Sequence, residues 1–165
     1  MGLDLSLRGT GLMVLQEGVP CEWRHLPTQA GDRESAISGV FKGSDEGCIE
    51  WIVSQIGFSW KFWLPDLVVI EDYAYKARGR GKSVLAEVAG VCKNRLHRAQ
   101  APYLSINGMT AKASVFGKGH GHASKSETIQ LVRGFWADCP ENDDVADAYV
   151  LAKFGHLRYD DLVSE

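Results

Sequence analysis

Cysteine is scarce in this sequence and poorly placed for chemistry. Cys21, Cys48, Cys92 and Cys139 lie far apart and match no zinc-binding or redox spacing. They exclude a zinc ribbon or a thiol–disulfide centre and fit the usage of a reducing compartment, where thiols serve as packing residues. Long apolar runs are missing as well. The start MGLDLSLRG carries a charge at its fourth residue and no apolar stretch follows, so neither a signal peptide nor a membrane span is expected. There is no internal repeat and no low-complexity tract. GRGKS at Gly79 to Ser83 is not a nucleotide-binding loop, because that pattern needs a glycine five positions before Gly81 and Lys76 stands there. What remains is a globular composition, 165 residues with 45% hydrophobic and 24% charged content, enough for a single domain (1–165) with a proper core.

The net charge of -3 conceals an uneven distribution. Between Asp72 and Lys125 ten basic residues (Lys76, Arg78, Arg80, Lys82, Lys93, Arg95, Arg98, Lys112, Lys118 and Lys125) stand against two acids, a segment of +8, while the rest of the chain carries -11. Such a block is the footprint of a polyanion-binding surface, although ordinary solvated helix faces would give the same count. Within it DYAYKARGR, Asp72 to Arg80, sets Tyr73 and Tyr75 among cations, a mixture suited to a loop beside phosphates and bases.

The beginning of the chain alternates Leu3, Leu5 and Leu7 with Gly2, Asp4 and Ser6, the period of a strand with one buried face and Asp4 on the other. Arg8-Gly9-Thr10-Gly11 reverses the chain, Leu12 to Gln16 forms the second strand, and Cys21 to Leu26 a third. Pro27 to Gly47 reads mostly as loop. Ser44 or Asp45 caps a helix bearing Ile49, Ile52, Val53 and Ile56 at helical spacing. Trp51, Trp60, Phe62 and Trp63 around its end suit a core or subunit contact, with base stacking as the alternative.

DLVVIE, Asp66 to Glu71, is a strand buried on both faces, and its closing acid lies where ligands gather in parallel sheets. Ser83 to Leu96 is a helix ending in cations, Pro102 to Ile106 a short strand, and Gly108 to Phe116 a helix. The glycine loop with His120 and His122 reads as solvated rather than metal-binding. Ser124 and Glu127 have the capping-box spacing for a helix to Trp136. The last helix opens on NDDVADAYVLA, with Asn142 as N-cap. Asp144 and Asp147, three apart, share one face. Acid near a helix N-terminus is favoured by the dipole, yet Asp143, Asp144 and Asp147 together exceed what capping needs, and metal binding is the other reading.

GLDLSLRGTGL around Asp4, VVIEDYAY around Glu71, AKASVFGKGHGHASKSETIQLV and DDVADAYVLA occur in an order that resembles the RuvC family of Holliday junction resolvases over nearly the whole chain. The resemblance implies a ribonuclease H-like α/β fold: a mixed five-stranded sheet, three strands antiparallel and the later ones parallel, flanked by helices. It implies that Asp4, Glu71, Asp144 and Asp147 are the catalytic carboxylates and metal ligands and that Lys112 and Lys125 are the two functional lysines. Two Mg2+ ions, replaceable by Mn2+, would be held by these oxygens. Tyr73, Tyr75, Lys76, Arg78, Arg80, Lys82 and Lys118 are the expected DNA contacts. The implied activity is symmetric nicking of four-way junctions, and of other branched DNA, by a homodimer with the Ser83 to Leu96 helix at its interface, in the cytoplasm of a bacterial or phage-infected cell. Two departures, Asp4-Leu5-Ser6 in place of the family's Asp-Pro-Gly and a glycine loop about two residues longer, suggest a divergent branch from a phage or other mobile element. A catalytically silent DNA-binding module and an actin-like or sugar-kinase-like ATPase are the rival readings.

Overall fold

The computed structural model describes residues 1–30, 35–37, 40–72 and 80–163, with side chains for all of these except 30, 35–37, 80–83 and 163. A seven-stranded sheet runs through it in the order β4-β5-β3-β2-β1-β6-β7. The strands are β1 (Gly2–Asp4), β2 (Gly9–Gln16), β3 (Val19–Ala30), β4 (Ser35–Ile37), β5 (Val40–Gly43), β6 (Val68–Glu71) and β7 (Tyr103–Ile106). The first three pair antiparallel, and β6 and β7 join β1 in parallel. That is the expected mixed α/β arrangement with two more strands than expected.

The extra pair corrects the loop reading of Pro27 to Gly47. β3 runs on through Pro27 to Ala30, where it pairs in parallel with β5, which carries β4 at the sheet edge. Pro20 and Pro27 are tolerated because β3 has a neighbour on its outer side only from Thr28 onward. The β2–β3 connection is a two-residue turn, with Glu17 at φ 51° and Gly18 at φ 79°, the conformation whose twist matches a hairpin. The β1–β2 turn is closed by side chains. Thr10 Oγ1 donates to Ser6 O at 2.7 Å, and Ser6 Oγ is 2.9 Å from both the carbonyl and the amide of Gly9. Ser6 thus does by hydrogen bonding what a proline-glycine pair would do by backbone preference.

Two helical layers sandwich the sheet. Helices α1 (Asp45–Trp63) and α2 (Arg80–Arg98) cover one face, where Leu3, Leu5, Leu12, Val68 and Ile70 meet Ile52, Ile56, Val88 and Leu96. Helices α3 (Gly108–Phe116), α4 (Lys125–Arg133) and α5 (Asp143–Val163) cover the other, where Met13 and Val69 meet Ala111, Val132, Ala148 and Leu151. Val68 and Ile70 facing one layer and Val69 the other is what an uninterrupted apolar strand requires. Ser44 caps α1 through Gly47 N, Asn107 caps α3 through Met109 N, and Ser124 and Glu127 complete the capping box of α4. Asn142 Oδ1 accepts from Val145 N at 2.9 Å and opens α5.

The aromatic cluster serves packing. Phe41 and Trp51 stack at 5.2 Å, and Trp63 Nε1 donates to Glu22 Oε2 at 2.7 Å. Phe58 and Phe62, more than 60% exposed, are the exceptions. All four cysteines are free, and burial pushes the Cys92 thiol up to about 12. Among the described residues no helix is long and apolar enough to cross a membrane.

α5 lies so close to the sheet that only glycine fits beneath it. A Cβ at Gly11 would stand 1.9 Å from Asp144 O, and one at Gly2 would stand 2.1 Å from Ala148 O. Gly11→Ala should therefore destabilise the fold by about 1–3 kcal/mol or more through overpacking, read as a lower urea midpoint. Gly57→Ala, with nothing within 4 Å of the added carbon, should leave the midpoint unchanged or raise it.

Candidate active site: a carboxylate pocket under the last helix

Asp4 ends β1 and Glu71 ends β6, its parallel neighbour, so the register that pairs Leu3 with Ile70 sets the two acids side by side. Their side chains are hydrogen-bonded to each other. Desolvation, then the charge of Glu71, pushes the Asp4 carboxyl well above its ordinary value, with Asp147 and Asp144 adding to the shift. Glu71 is also raised by desolvation, against the lowering effect of the Asp4 hydrogen bond. The physical picture is one proton shared by the pair, with Asp4 donating to the Glu71 carboxylate. Gly108, the first residue of α3, leaves room for this, since a Cβ there would stand 2.3 Å from Glu71 Oε1.

From above, α5 lowers Asp144 and Asp147 toward the same place. Lys112 Nζ, only 15% exposed on α3, is 2.8 Å from Asp147 Oδ1. The ammonium and the buried Oδ1 form an ion pair inside the pocket. The second lysine is at the mouth. Lys125, 78% exposed at the start of α4, pairs with Asp143 Oδ2. This contact raises the lysine and lowers the Asp143 carboxyl. Asp144 is raised by desolvation and by its neighbour Asp143, and lowered by His25, whose Nε2 is 3.1 Å from Asp144 Oδ2.

Five of the expected residues, Asp4, Glu71, Asp144, Asp147 and Lys112, therefore gather around the C-terminal ends of β1 and β6. Lys125 stands at the rim through Asp143. Lys118 is exposed on the loop after α3. Tyr73, Tyr75, Lys76 and Arg78 lie outside the described residues; Arg80 and Lys82 fall in the first turn of α2 without described side chains. Asp143 and His25 are the residues that motif reading passed over. Asp143 stands in the acid group of the last helix without a role of its own in the family motif, and His25 belongs to no motif, although the alternation Glu22, Trp23, Arg24, His25 already assigns it to one face of its strand.

Among the described residues no three acidic, histidine or cysteine side chains form a preassembled metal cluster. The negative charge of the pocket is instead reduced in pieces, by a proton on Asp4–Glu71 and by the ammonium group on Asp147. An all-oxygen set, whose buried Asp147 Oδ1 is met by an ammonium group that a cation can replace, fits a hard divalent cation.

No family model matches the chain. It is 26% identical over 164 residues to a crossover junction endodeoxyribonuclease RuvC of Synechococcus sp. (strain CC9902), covering 96% of this chain and 97% of that one. Among solved structures, Thermus thermophilus RuvC in complex with a Holliday junction substrate superposes with a TM-score of 0.75 at 16% identity, over 96% of this chain and 92% of that one. A second Thermus thermophilus RuvC structure gives 0.69 at 17%, over 96% and 93%. The fold is the RuvC fold, and the strand pair β4–β5 lies at its edge.

A raised carboxyl pKa stabilises the folded state at low pH. That contribution is whole below the ordinary aspartate value of 3.8 and is lost as pH rises through the folded value of Asp4. The cation-free protein should accordingly lose thermal stability as pH is raised from about 4 toward neutrality. Asp4→Asn should reduce this slope, the raised Glu71 and Asp144 carboxyls supplying what is left, and raise neutral-pH stability by about 1–3 kcal/mol. Calorimetry across pH in chelator checks both.

Proposed function

We propose that this RuvC-like chain is a metal-dependent, structure-selective endodeoxyribonuclease that resolves Holliday junctions, and other branched DNA, by symmetric nicking. Residues 1–165 act as one nuclease domain. The observation that carries the reading is the meeting of Asp4, Glu71, Asp144 and Asp147 at the carboxyl ends of two parallel strands, with a lysine already inside the group. Capping explains Asp143 and Asp144. It does not explain why two strand-end acids are brought out of water to meet them.

Asp4, Glu71, Asp144 and Asp147 would hold a pair of Mg2+ ions, with Mn2+ as a substitute. When bound, such ions offset charge at the attacking and leaving oxygens of an in-line phosphodiester hydrolysis. The chain's own groups have three tasks. Asp4 gives up to solvent the proton it shares with Glu71, which turns the pair from a hydrogen-bonded monoanion into a dianion. Lys112, released from Asp147, is a buried ammonium donor at hand for the scissile phosphate. Lys125 offers a second at the rim, and Lys118 with the residues from Tyr73 to Lys82 grips the DNA arms by displacing counterions.

Two strands must be cut symmetrically, which calls for two sites and a C2 homodimer. The α1–α2 face suits that role. Between the helices a cleft of about 670 Å³ is lined by Ile56, Trp60 and Leu96 together with Lys61, Arg95 and Arg98, and Phe58 stands exposed beside it. The proposed setting is the cytoplasm of a bacterial or phage-infected cell.

A labelled four-way junction, set beside flaps, forks and plain duplex, should be nicked at paired sites in Mg2+ and left intact in chelator. Asp147→Asn should slow nicking by about a thousandfold or more, roughly 4 kcal/mol of transition-state stabilisation, while junction binding persists. Binding without nicking by the native chain would favour the silent module, and ATP binding the ATPase. Sedimentation should show a dimer, and Phe58→Asp, at an exposed residue of the cleft, should yield monomer that has lost paired nicking.

A further inference from the structure

His25 reaches the acid pocket from the third strand. Paired with Gly11 in the β2–β3 ladder, it lies on the face of β3 turned to α5, two-thirds withdrawn from solvent, with Nε2 3.1 Å from Asp144 Oδ2. Both partners are fixed by backbone. Asp144 belongs to the first turn of a helix capped by Asn142 and seated on Gly11, and His25 is held by strand register. The space for the contact exists only because residue 9 has no side chain: a Cβ there would stand 2.5 Å from Asp144 Oδ2 and 2.9 Å from His25 Nε2. The nearby lysines are otherwise engaged, Lys112 with Asp147 and Lys125 with Asp143.

We propose that His25 is a positioning residue for Asp144. Its Nε2–H donates to Oδ2, which sets the orientation of the carboxylate and leaves Oδ1 as the oxygen available to a divalent cation. Donors of this kind behind a ligating carboxylate restrict its rotation and hold the ligand before the ion arrives. The inference rests on the reading of the four acids as cation ligands.

The test is Mn2+ binding to the full chain, followed by electron paramagnetic resonance of the free ion, with Tm recorded in parallel. His25→Ala should weaken binding about 10- to 100-fold with Tm unchanged. His25→Gln, whose amide nitrogen can take the place of Nε2, should recover most of the loss. Gly9→Ala keeps the histidine but drives the pair apart, and should weaken binding as the alanine variant does. Native affinity in His25→Ala would overturn the proposal, as would equal losses in His25→Ala and His25→Gln, since ring bulk rather than a donor would then be responsible. If the native chain binds no Mn2+, the cation-site reading falls and takes this role with it; native binding with an unaffected His25→Ala removes the role of His25 alone.

Discussion

Helix α5 meets the sheet backbone to backbone, over Gly2 and Gly11, and the site exists because of that approach. A methyl group at either position would overlap Asp144 O or Ala148 O and would lift the helix away from β1 and β2. Its acids would then stand in water, where their mutual repulsion is weak and their pull on an ion weaker still. Pressed onto the sheet, they share a pocket with Asp4 and Glu71, and like charges so placed cannot all ionise. The protein meets this constraint locally, with a proton on one pair and an ammonium on another. Both are groups that a divalent cation can displace.

The two faces of the sheet divide the remaining demands. On the α1–α2 face the contacts are apolar, and the principal polar feature is Glu22, which accepts from Arg24, Ser59 and Trp63. On the α5 face the apolar bulk of Tyr149, Val150 and Leu151 lies behind the acids. Trp136 stacks on Tyr149 at 5.9 Å and meets Trp23 of β3 at 6.4 Å. The acids stay partly wet at their tips while their helix is held from below.

Much of this is legible from residue order. The apolar run ending in Glu71, the alternation that turns Asp4 away from the leucines, and the caps at Ser44, Ser124 and Asn142 are local signals that tertiary packing left in place. The strands β4 and β5 are not legible, because glycine and polar residues dilute their period and their pairing depends on a long-range partner at Thr28 to Ala30. His25 is hidden for a related reason. A lone histidine acquires meaning only when a residue far along the chain is laid beside it. The small residues were visible as turn formers at Gly9 and Gly11, but their tighter duty, admitting a helix, appears only once α5 is placed.

Glu22 and His25 stand on opposite sides of the same strand, and side chains along a strand alternate, so their orientations are not independent. Sliding β3 by one residue against β2 would carry His25 over to the α1 side and remove the Glu22 carboxylate from the indole of Trp63. The Glu22–Trp63 bond, 2.7 Å long and far from any reacting atom, thereby acts as a register pin. A half-buried carboxylate held by one helical layer determines which acid a histidine can touch in the other.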